Sequence, residues 1–184
     1  MINYLKREVA YLEIRIINED FEEDINIPNQ PFKIRGRLLV SFVNNKREYK
    51  KEVFKEDKVK EVTFPDENYN FEKMNDYVFI GAYENNICVG LAILTETFNS
   101  SLFLYDLKVN KTFRRKGIGK KLIEFSYNYA LNHNYPGLYT IAQDNNLDAC
   151  LFYLSCGFEI GGLDTKTYEK TKQAGKYDIY FYKF

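Results

Sequence analysis

The sequence has one histidine, His133, and only three cysteines, Cys88, Cys150 and Cys156. His133 falls at the end of a helix predicted over residues 119–131, where a cation suits the negative end of the helix dipole. It reads as a capping or surface residue, and with no second histidine the Ser-His-Asp and Cys-His mechanisms are set aside. The cysteines are odd in number, lack CxxC spacing and lie in apolar stretches. They are expected to be buried free thiols in a reducing compartment, with no metal site. Net charge is also missing: 26 Lys plus Arg balance 26 Asp plus Glu over 184 residues, so the overall charge carries no sign of nucleic-acid binding. No apolar run approaches the ~20 residues of a membrane helix. The opening MINYLKREVAYLEIRI is charged and strand-like rather than a leader. The expectation is a soluble, cytoplasmic, single-domain protein, monomeric or homodimeric, bound to neither nucleic acid nor membrane.

What is present centres on residues 101–121, SLFLYDLKVNKTFRRKGIGKK. Leu102 to Val109 is dense in β-branched, aromatic and aliphatic residues and reads as a buried strand. From Ile118 the apolar residues Ile118, Leu122, Phe125 and Tyr129 recur at helical spacing. Between them lies a basic loop with two glycines, Gly117 and Gly119, which let a ligand come close to the backbone. The unpaired N–H groups of a helix start, beside Arg114, Arg115, Lys116 and Lys120, suit an anion and phosphate in particular. The spacing is neither GxGxxG nor GxxxxGK[ST].

In chain order, residues 9–17 read as a strand, followed by an acidic loop or helical turn. Phe32–Val43 and Arg47–Phe54 read as a hairpin turned at Asn44-Asn45, because asparagine tolerates positive φ. Residues 61–76 carry Glu61, Asp66, Glu67, Glu72 and Asp76 against Lys73 alone, interleaved with Phe64, Tyr69 and Phe71. This stretch is either a solvated surface or a rim that attracts a cationic substrate. Tyr77–Tyr83 and Ile87–Thr97 form a second hairpin through Glu84-Asn85-Asn86. After the central strand and helix come a strand over Leu138–Ala142, a helix over Asn146–Cys156 ended by Gly157, and strands over Phe158–Leu163 and Tyr177–Phe184. This order predicts a mixed α/β sheet.

Two segments resemble the GNAT N-acetyltransferases: the RxxGxG of Arg114–Gly119, and Asn146, Ala149, Phe152, Tyr153, Gly157 and Phe158, which match NxxAxxFYxxxGF throughout. Together with NIPNQPFKIRGRL and the C-terminal IYFYKF, the wider block AQDNNLDACLFYLSCGFEIGGLDTKTYE is similar to the streptothricin (nourseothricin) acetyltransferases. Those enzymes acetylate an amine on the β-lysine portion of a polycationic antibiotic. The resemblance implies the acyl-CoA N-acyltransferase fold: a mixed, mostly antiparallel sheet flanked by helices. It also implies one domain in three parts, with acceptor-side elements over 1–76, an acetyl-coenzyme A core over 77–164, and a closing loop and strand over 165–184.

The resemblance further assigns roles. The backbone of Leu107 and Val109 would pair with the acetyl and pantetheine groups. The amides of Arg115, Lys116, Gly117, Ile118 and Gly119, with Arg114 and Lys120 nearby, would hold the pyrophosphate. Asn146 would meet the pantetheine arm, and Tyr153 would protonate or hydrogen-bond the leaving thiolate. Acetyl-coenzyme A is thus the implied co-substrate, and a small cationic amine its partner. An aliphatic ammonium with a pKa near ~10 must lose a proton before attack. Related enzymes often carry a carboxylate where this chain has Tyr105. Strand alternation places Tyr105 on the face of Leu107 and Val109, and Asp106 on the other. Tyr105, Glu96 and Asp164 are therefore the acceptor-side candidates, and the base is unassigned. Acetylation of a protein N-terminus, a polyamine or an aminoglycoside is the nearest alternative, and a non-catalytic coenzyme A-binding module a further one.

Overall fold

The computed structural model describes residues 11–44 and 46–184. Residues 1–10, including the start of the first predicted strand, and Asn45 of the first predicted turn lie outside that range. The strands are β1 (Leu12–Ile16), β2 (Phe32–Ile34), β3 (Gly36–Val43), β4 (Lys46–Val53), β5 (Lys60–Val62), β6 (Tyr77–Glu84), β7 (Ile87–Thr95), β8 (Leu102–Val109), β9 (Leu138–Gln143), β10 (Glu159–Asp164) and β11 (Asp178–Lys183); the helices are α1 (Ile118–Asn132) and α2 (Leu147–Ser155).

Seven strands form one sheet in the order β1-β6-β7-β8-β9-β11-β10. Every pairing in it is antiparallel except β8 with β9. The β6–β7 turn is set by chemistry: Asn85 and Asn86 sit at φ 53° and 64°, conformations asparagine reaches more readily than other side chains. Asn44, at φ 50°, does the same for the β3–β4 hairpin.

Alternation sorts the core onto two faces. Ala92 and Leu94 of β7 point toward α1 and pack with Leu102, Leu104, Leu122 and Ile123. Leu91 and Ile93 point the other way, onto Ile17, Ile25, Tyr69 and Phe79. One face is thus covered by α1 and the other, over β6 and β7, by the N-terminal segment and residues 69–74. His133 ends α1, with its ring stacked on Tyr129 at 3.9 Å and Nδ1 2.8 Å from the Tyr129 carbonyl oxygen, as its position at the helix end predicts. Cys88, Cys150 and Cys156 are free thiols.

The strand predicted over Phe32–Val43 is two strands. β2 pairs with β5, and β3 with β4. The break falls at Arg35, whose side chain reaches across to Asp148 at the start of α2, with Nε donating at 2.6 Å. Just beyond it Arg37 donates to Asp144 Oδ2 from Nε at 2.8 Å and from Nη2 at 2.5 Å. Asp144 is 1% exposed and also accepts from the Tyr177 N–H at 3.0 Å, while its carbonyl accepts from the Leu38 N–H at 2.8 Å. This residue ties three segments distant in sequence: β3, the loop before α2, and the loop before β11. Removing one partner of a buried ion pair leaves a desolvated charge behind. Arg37→Met is expected to cost about 3 kcal/mol in urea unfolding, and a loss within ~0.5 kcal/mol would show the pair to be dispensable.

Candidate active site

Strands β8 and β9 pair only at Leu102↔Leu138 and Phe103↔Tyr139 and then part. Beyond that point the edge of β8 that faced β9 has no strand partner among the described residues. The two ends of this open edge are closed by side chains. The Thr140 hydroxyl donates to the Leu104 carbonyl at 3.0 Å, and Arg114 Nε donates to the Val109 carbonyl at 2.9 Å. Between them runs a cleft of about 1330 Å³. The residues of this edge line the cleft, and backbone groups left free along a strand suit an extended ligand bearing amide groups.

At one end the cleft reaches the loop before α1. Gly117 is the residue before the helix and sits at φ 82°, with no side chain to cap the free N–H groups of Ile118, Gly119 and Lys120. Arg115 is also left-handed, at φ 63°. Alternating handedness turns successive N–H groups into one concavity that suits an anion. Gly119 is needed for closeness: a Cβ there would lie 3.1 Å from the Phe152 ring. Gly117 is needed for conformation, since nothing lies within 4 Å of its missing Cβ.

At the other end, on the face away from α1, lies a polar cluster. The pairing of β7 with β8 skips a residue between Ile93↔Asp106 and Leu94↔Leu104. That β-bulge at Tyr105 moves alternation on by one position. Leu102, Leu104, Leu107 and Val109 therefore all belong to the α1 face, while the Tyr105 ring packs edge-on to Tyr69 and Tyr77 on the opposite one. Asp106 joins it there. Its Oδ2 accepts from the Tyr69 hydroxyl at 2.9 Å and lies 3.2 Å from Lys108 Nζ. Lys108 Nζ also donates to Glu67 Oε2 at 2.6 Å and sits 5.2 Å over the Tyr69 ring. Burial raises the Asp106 carboxyl above the ordinary carboxylate range, with the Lys108 ammonium pulling the other way. The expectation that Tyr105 shares a face with Leu107 is thus corrected, and Asp106 is a carboxylate on the cleft that alternation alone misplaces. One trace of it is present in the sequence: Asp106 and Lys108 are charged residues two apart in an otherwise apolar strand.

The other acid candidates lie elsewhere. Glu96 is exposed and accepts from the Tyr135 hydroxyl. Asp164 accepts from the Lys166 N–H at 2.6 Å and the Thr167 hydroxyl at 2.9 Å, bonds that hold its carboxyl below the usual range. Neither lines the cleft. Of the acidic stretch, Val62, Thr63 and Phe64 line the cleft, whereas its carboxylates do not. Asp66 accepts from the Asn29 N–H at 2.6 Å, and Glu67 from Asn29 Nδ2 at 2.8 Å as well as from Lys108. Tyr69 is buried, and Phe71 packs on Phe79.

Tyr153 stands on α2, its ring packed against Phe152, Phe158 and Phe181. Burial pushes its phenol up to about 12. Asn146 caps α2, with its side-chain oxygen accepting from the Ala149 N–H at 3.3 Å; it lines the cleft together with Ala149, Phe152 and Tyr153.

The acetyltransferase (GNAT) family profile matches residues 41–158, and streptothricin acetyltransferase A of Bacillus subtilis (strain 168) is 32% identical over 161 residues, 87% of this chain and 92% of its own. The chain belongs to the GNAT acetyltransferase family. Among solved structures, a Bacillus anthracis (strain Ames) protein assigned as a streptothricin acetyltransferase, in complex with acetyl coenzyme A, superposes with TM-score 0.83 at 28% identity, covering 94% of this chain and 99% of its own. A nourseothricin acetyltransferase superposes with TM-score 0.74 over 93% and 96% of the two chains, at 21% identity, a likeness of fold.

Within this GNAT chain the basic residues of the signature separate by role. Arg114, besides Val109, donates from Nη1 to the Pro31 carbonyl at 3.0 Å, so its guanidinium fastens the segment before β2 to the end of β8. Two of its donors are thus spent within the protein, while Arg114 and Val109 both line the cleft. Lys116 lies over the Phe113 ring at 4.7 Å and does not line the cleft. Arg115, Lys120 and the backbone of Gly117–Gly119 do. Gly117→Val is expected to cost about 1–2 kcal/mol of stability through left-handed strain alone and to weaken acetyl-coenzyme A binding by at least ~10-fold. Lys116→Ala should leave binding unchanged. Calorimetric titration with acetyl-coenzyme A measures both, and equal effects of the two substitutions would remove the backbone cradle from the account.

Proposed function

We propose that this chain moves the acetyl group of acetyl-coenzyme A to a primary aliphatic amine of a polycationic acceptor of the streptothricin class, by direct attack in a ternary complex. The observation that carries this reading is the continuity of one cleft from the free N–H groups at the start of α1 to the Asp106 carboxylate. The choice of acceptor draws on the B. subtilis relative, whose name specifies streptothricin and which aligns over most of both chains. Three free thiols suit a soluble cytoplasmic enzyme, acting as a monomer or homodimer.

In this reading the open backbone edge of β8 near Leu107 pairs with the pantetheine amides, and the α1 cradle with Arg115 and Lys120 holds the pyrophosphate. Asp106 receives the acceptor. As an anion it pairs with the ammonium, which first gives one proton to solvent so that a neutral amine attacks; Asp106 then takes the second proton as nitrogen bonds to the carbonyl carbon, because the nitrogen loses basicity as that bond forms. Tyr153 faces the departing sulfur. An alkyl thiol has a pKa near ~8.5, so a phenol at about 12 would give up its proton to that thiolate at a cost of roughly 5 kcal/mol. Tyr153 therefore keeps its proton and stabilises the thiolate as a hydrogen-bond donor.

Release of free thiol from acetyl-coenzyme A, followed with streptothricin, a polyamine, an aminoglycoside and a peptide bearing a free N-terminus, tests the acceptor. Streptothricin should give the highest kcat/KM, and turnover of another amine at an equal or higher value would overturn the assignment. Tyr153→Phe should lower kcat by about 10- to 150-fold, the worth of one hydrogen bond to a charged group, with the KM for acetyl-coenzyme A unchanged. Asp106→Asn should lower kcat by about 10²- to 10⁴-fold at neutral pH.

The pH dependence follows from the charge on Asp106. Activity needs the carboxylate, whose raised pKa places the acid limb of kcat/KM above the ordinary carboxylate range. Because Lys108 favours the ionised form, Lys108→Met should move that limb to still higher pH. A limb that stays in place would separate Asp106 from the proton transfer.

A further inference from the structure

On the same face of the sheet as Asp106, across the gap, lies a second carboxylate with no part in the steps above. Asp178 is the first residue of β11, opposite Gln143 of β9 on one side and opposite Asp164 of β10 on the other. Ile179 and Phe181 point into the α1-side core, so alternation turns Asp178 to the opposite face. It lines the cleft together with Tyr105, Asp106, Gln143 and Tyr168.

Its surroundings are poor for a structural carboxylate. Asp178 is 8% exposed, and no lysine or arginine forms an ion pair with it among the described residues. Like charges directly opposite one another across a strand pair are destabilising, and here Asp164 is that neighbour, with Asp144 also close enough to act on it. Two hydroxyls oppose the cost of burial: Tyr168 donates to Asp178 Oδ1 at 3.0 Å, and Thr167 lies alongside. The nearby cations are engaged elsewhere. Arg37 is held by Asp144 and the Gly175 carbonyl, and Lys176 Nζ donates to Gln173 Oε1 at 2.7 Å. A buried anion without a cation, opening on a ligand cleft, is a position where a bound cation relieves a cost already present in the fold.

We propose that Asp178 is a second ammonium subsite, so that the cleft selects acceptors with two aliphatic ammonium groups: one delivered to Asp106 for reaction, the other anchored at Asp178. This rests on Asp106 as the reacting end of the acceptor site. Two strand spacings separate β8 from β11, and β8 has parted from β9, so the backbones that carry the two carboxylates stand at least ~10 Å apart. A chain of several methylenes with a nitrogen at each end spans that interval once each N–H···O contact takes up its share of the distance. The Tyr105 and Tyr168 rings, both on the cleft, offer faces for the aliphatic middle and for the cations.

Isothermal titration of the coenzyme A-loaded protein with 1,5-diaminopentane and with pentylamine tests this without turnover, so a wrong choice of natural acceptor leaves the test intact. The diamine should bind about 10- to 100-fold tighter, as one charge-assisted contact predicts. Asp178→Asn, which still accepts from Tyr168, should abolish that preference and leave the affinity for coenzyme A unchanged. Tyr168→Phe, which removes the hydroxyl and keeps the charge, should retain it. Equal binding of the two amines by the native protein, including binding of neither, overturns the proposal. So does a preference that survives Asp178→Asn, or one that Tyr168→Phe abolishes equally.

Discussion

The site depends on one departure from sheet geometry: β8 and β9 are hydrogen-bonded neighbours for two residue pairs and then separate. An unpaired strand edge within a protein is a liability unless its polar groups are met. Here Thr140 and Arg114 meet the carbonyls at the two ends, and the middle is left for a ligand. The separation also needs something to hold the strands apart. Arg37 and Asp144 lock β3 to the end of β9, and Arg114 locks the segment before β2 to the end of β8. β2 thus runs from one parted strand to the other and forms a wall of the cleft. The signature arginine therefore helps to fix the frame of the cleft, and the uncapped backbone N–H groups at the start of α1 lie close to it in sequence.

The second constraint is the bulge at Tyr105. Without it, Asp106 would keep its place opposite Ile93 while Tyr105 pointed into the α1-side core, where a phenol would find few partners. With it, Tyr105 and Asp106 both reach the acceptor face, and Leu107 and Val109 return to the core. A single extra residue thereby separates the work of the two faces. α1 and α2 lie on one side, and the cluster of Asp106, Lys108 and Tyr69 lies on the other. The cluster of Asp106, Lys108, Glu67 and Tyr69 carries charges in a partly buried place, where each must be matched to be tolerated. Lys108, with a side chain 10% exposed, is held between two carboxylates. Its ammonium favours the ionised form of Asp106 and offsets part of the effect of burial.

Much of the fold was legible because it is written in local chemistry. The Asn85-Asn86 turn, the helix starting at Ile118, the Asn146 cap and the glycine after α2 each follow from residues within a few positions of one another. The order of strands and helices followed from these, and the junction before α1 was visible from its glycines together with the helical spacing that begins at Ile118. What was not legible depended on partners far away in sequence. The tether that Arg114 makes to Pro31 joins residues 83 positions apart. Asp66 and Glu67 look like a charged rim until Asn29 and Lys108 occupy them. The split of Phe32–Val43 likewise follows from Arg35 meeting Asp148, 113 positions on. Local composition cannot separate a solvated charge from a tether.

The misplacement of Asp106 has a different origin. Alternation is a rule with a period of two, and a bulge resets its phase without leaving a mark in composition. The reading over Leu102–Val109 therefore identified the strand correctly and inverted the faces of its first half relative to its second. The residue judged to point away from the chemistry is the one the cleft reaches. What could have exposed the slip is physical consistency: under strict alternation Leu104 and Asp106 would share a face, an apolar core residue beside an uncompensated carboxylate. The bulge removes that conflict by sending Leu104 to the core and Asp106 to Tyr69 and Lys108. Where an otherwise apolar strand carries a buried charge that alternation would leave in the core, a phase change is the lower-energy solution, and the charge so released is the first place to look for function.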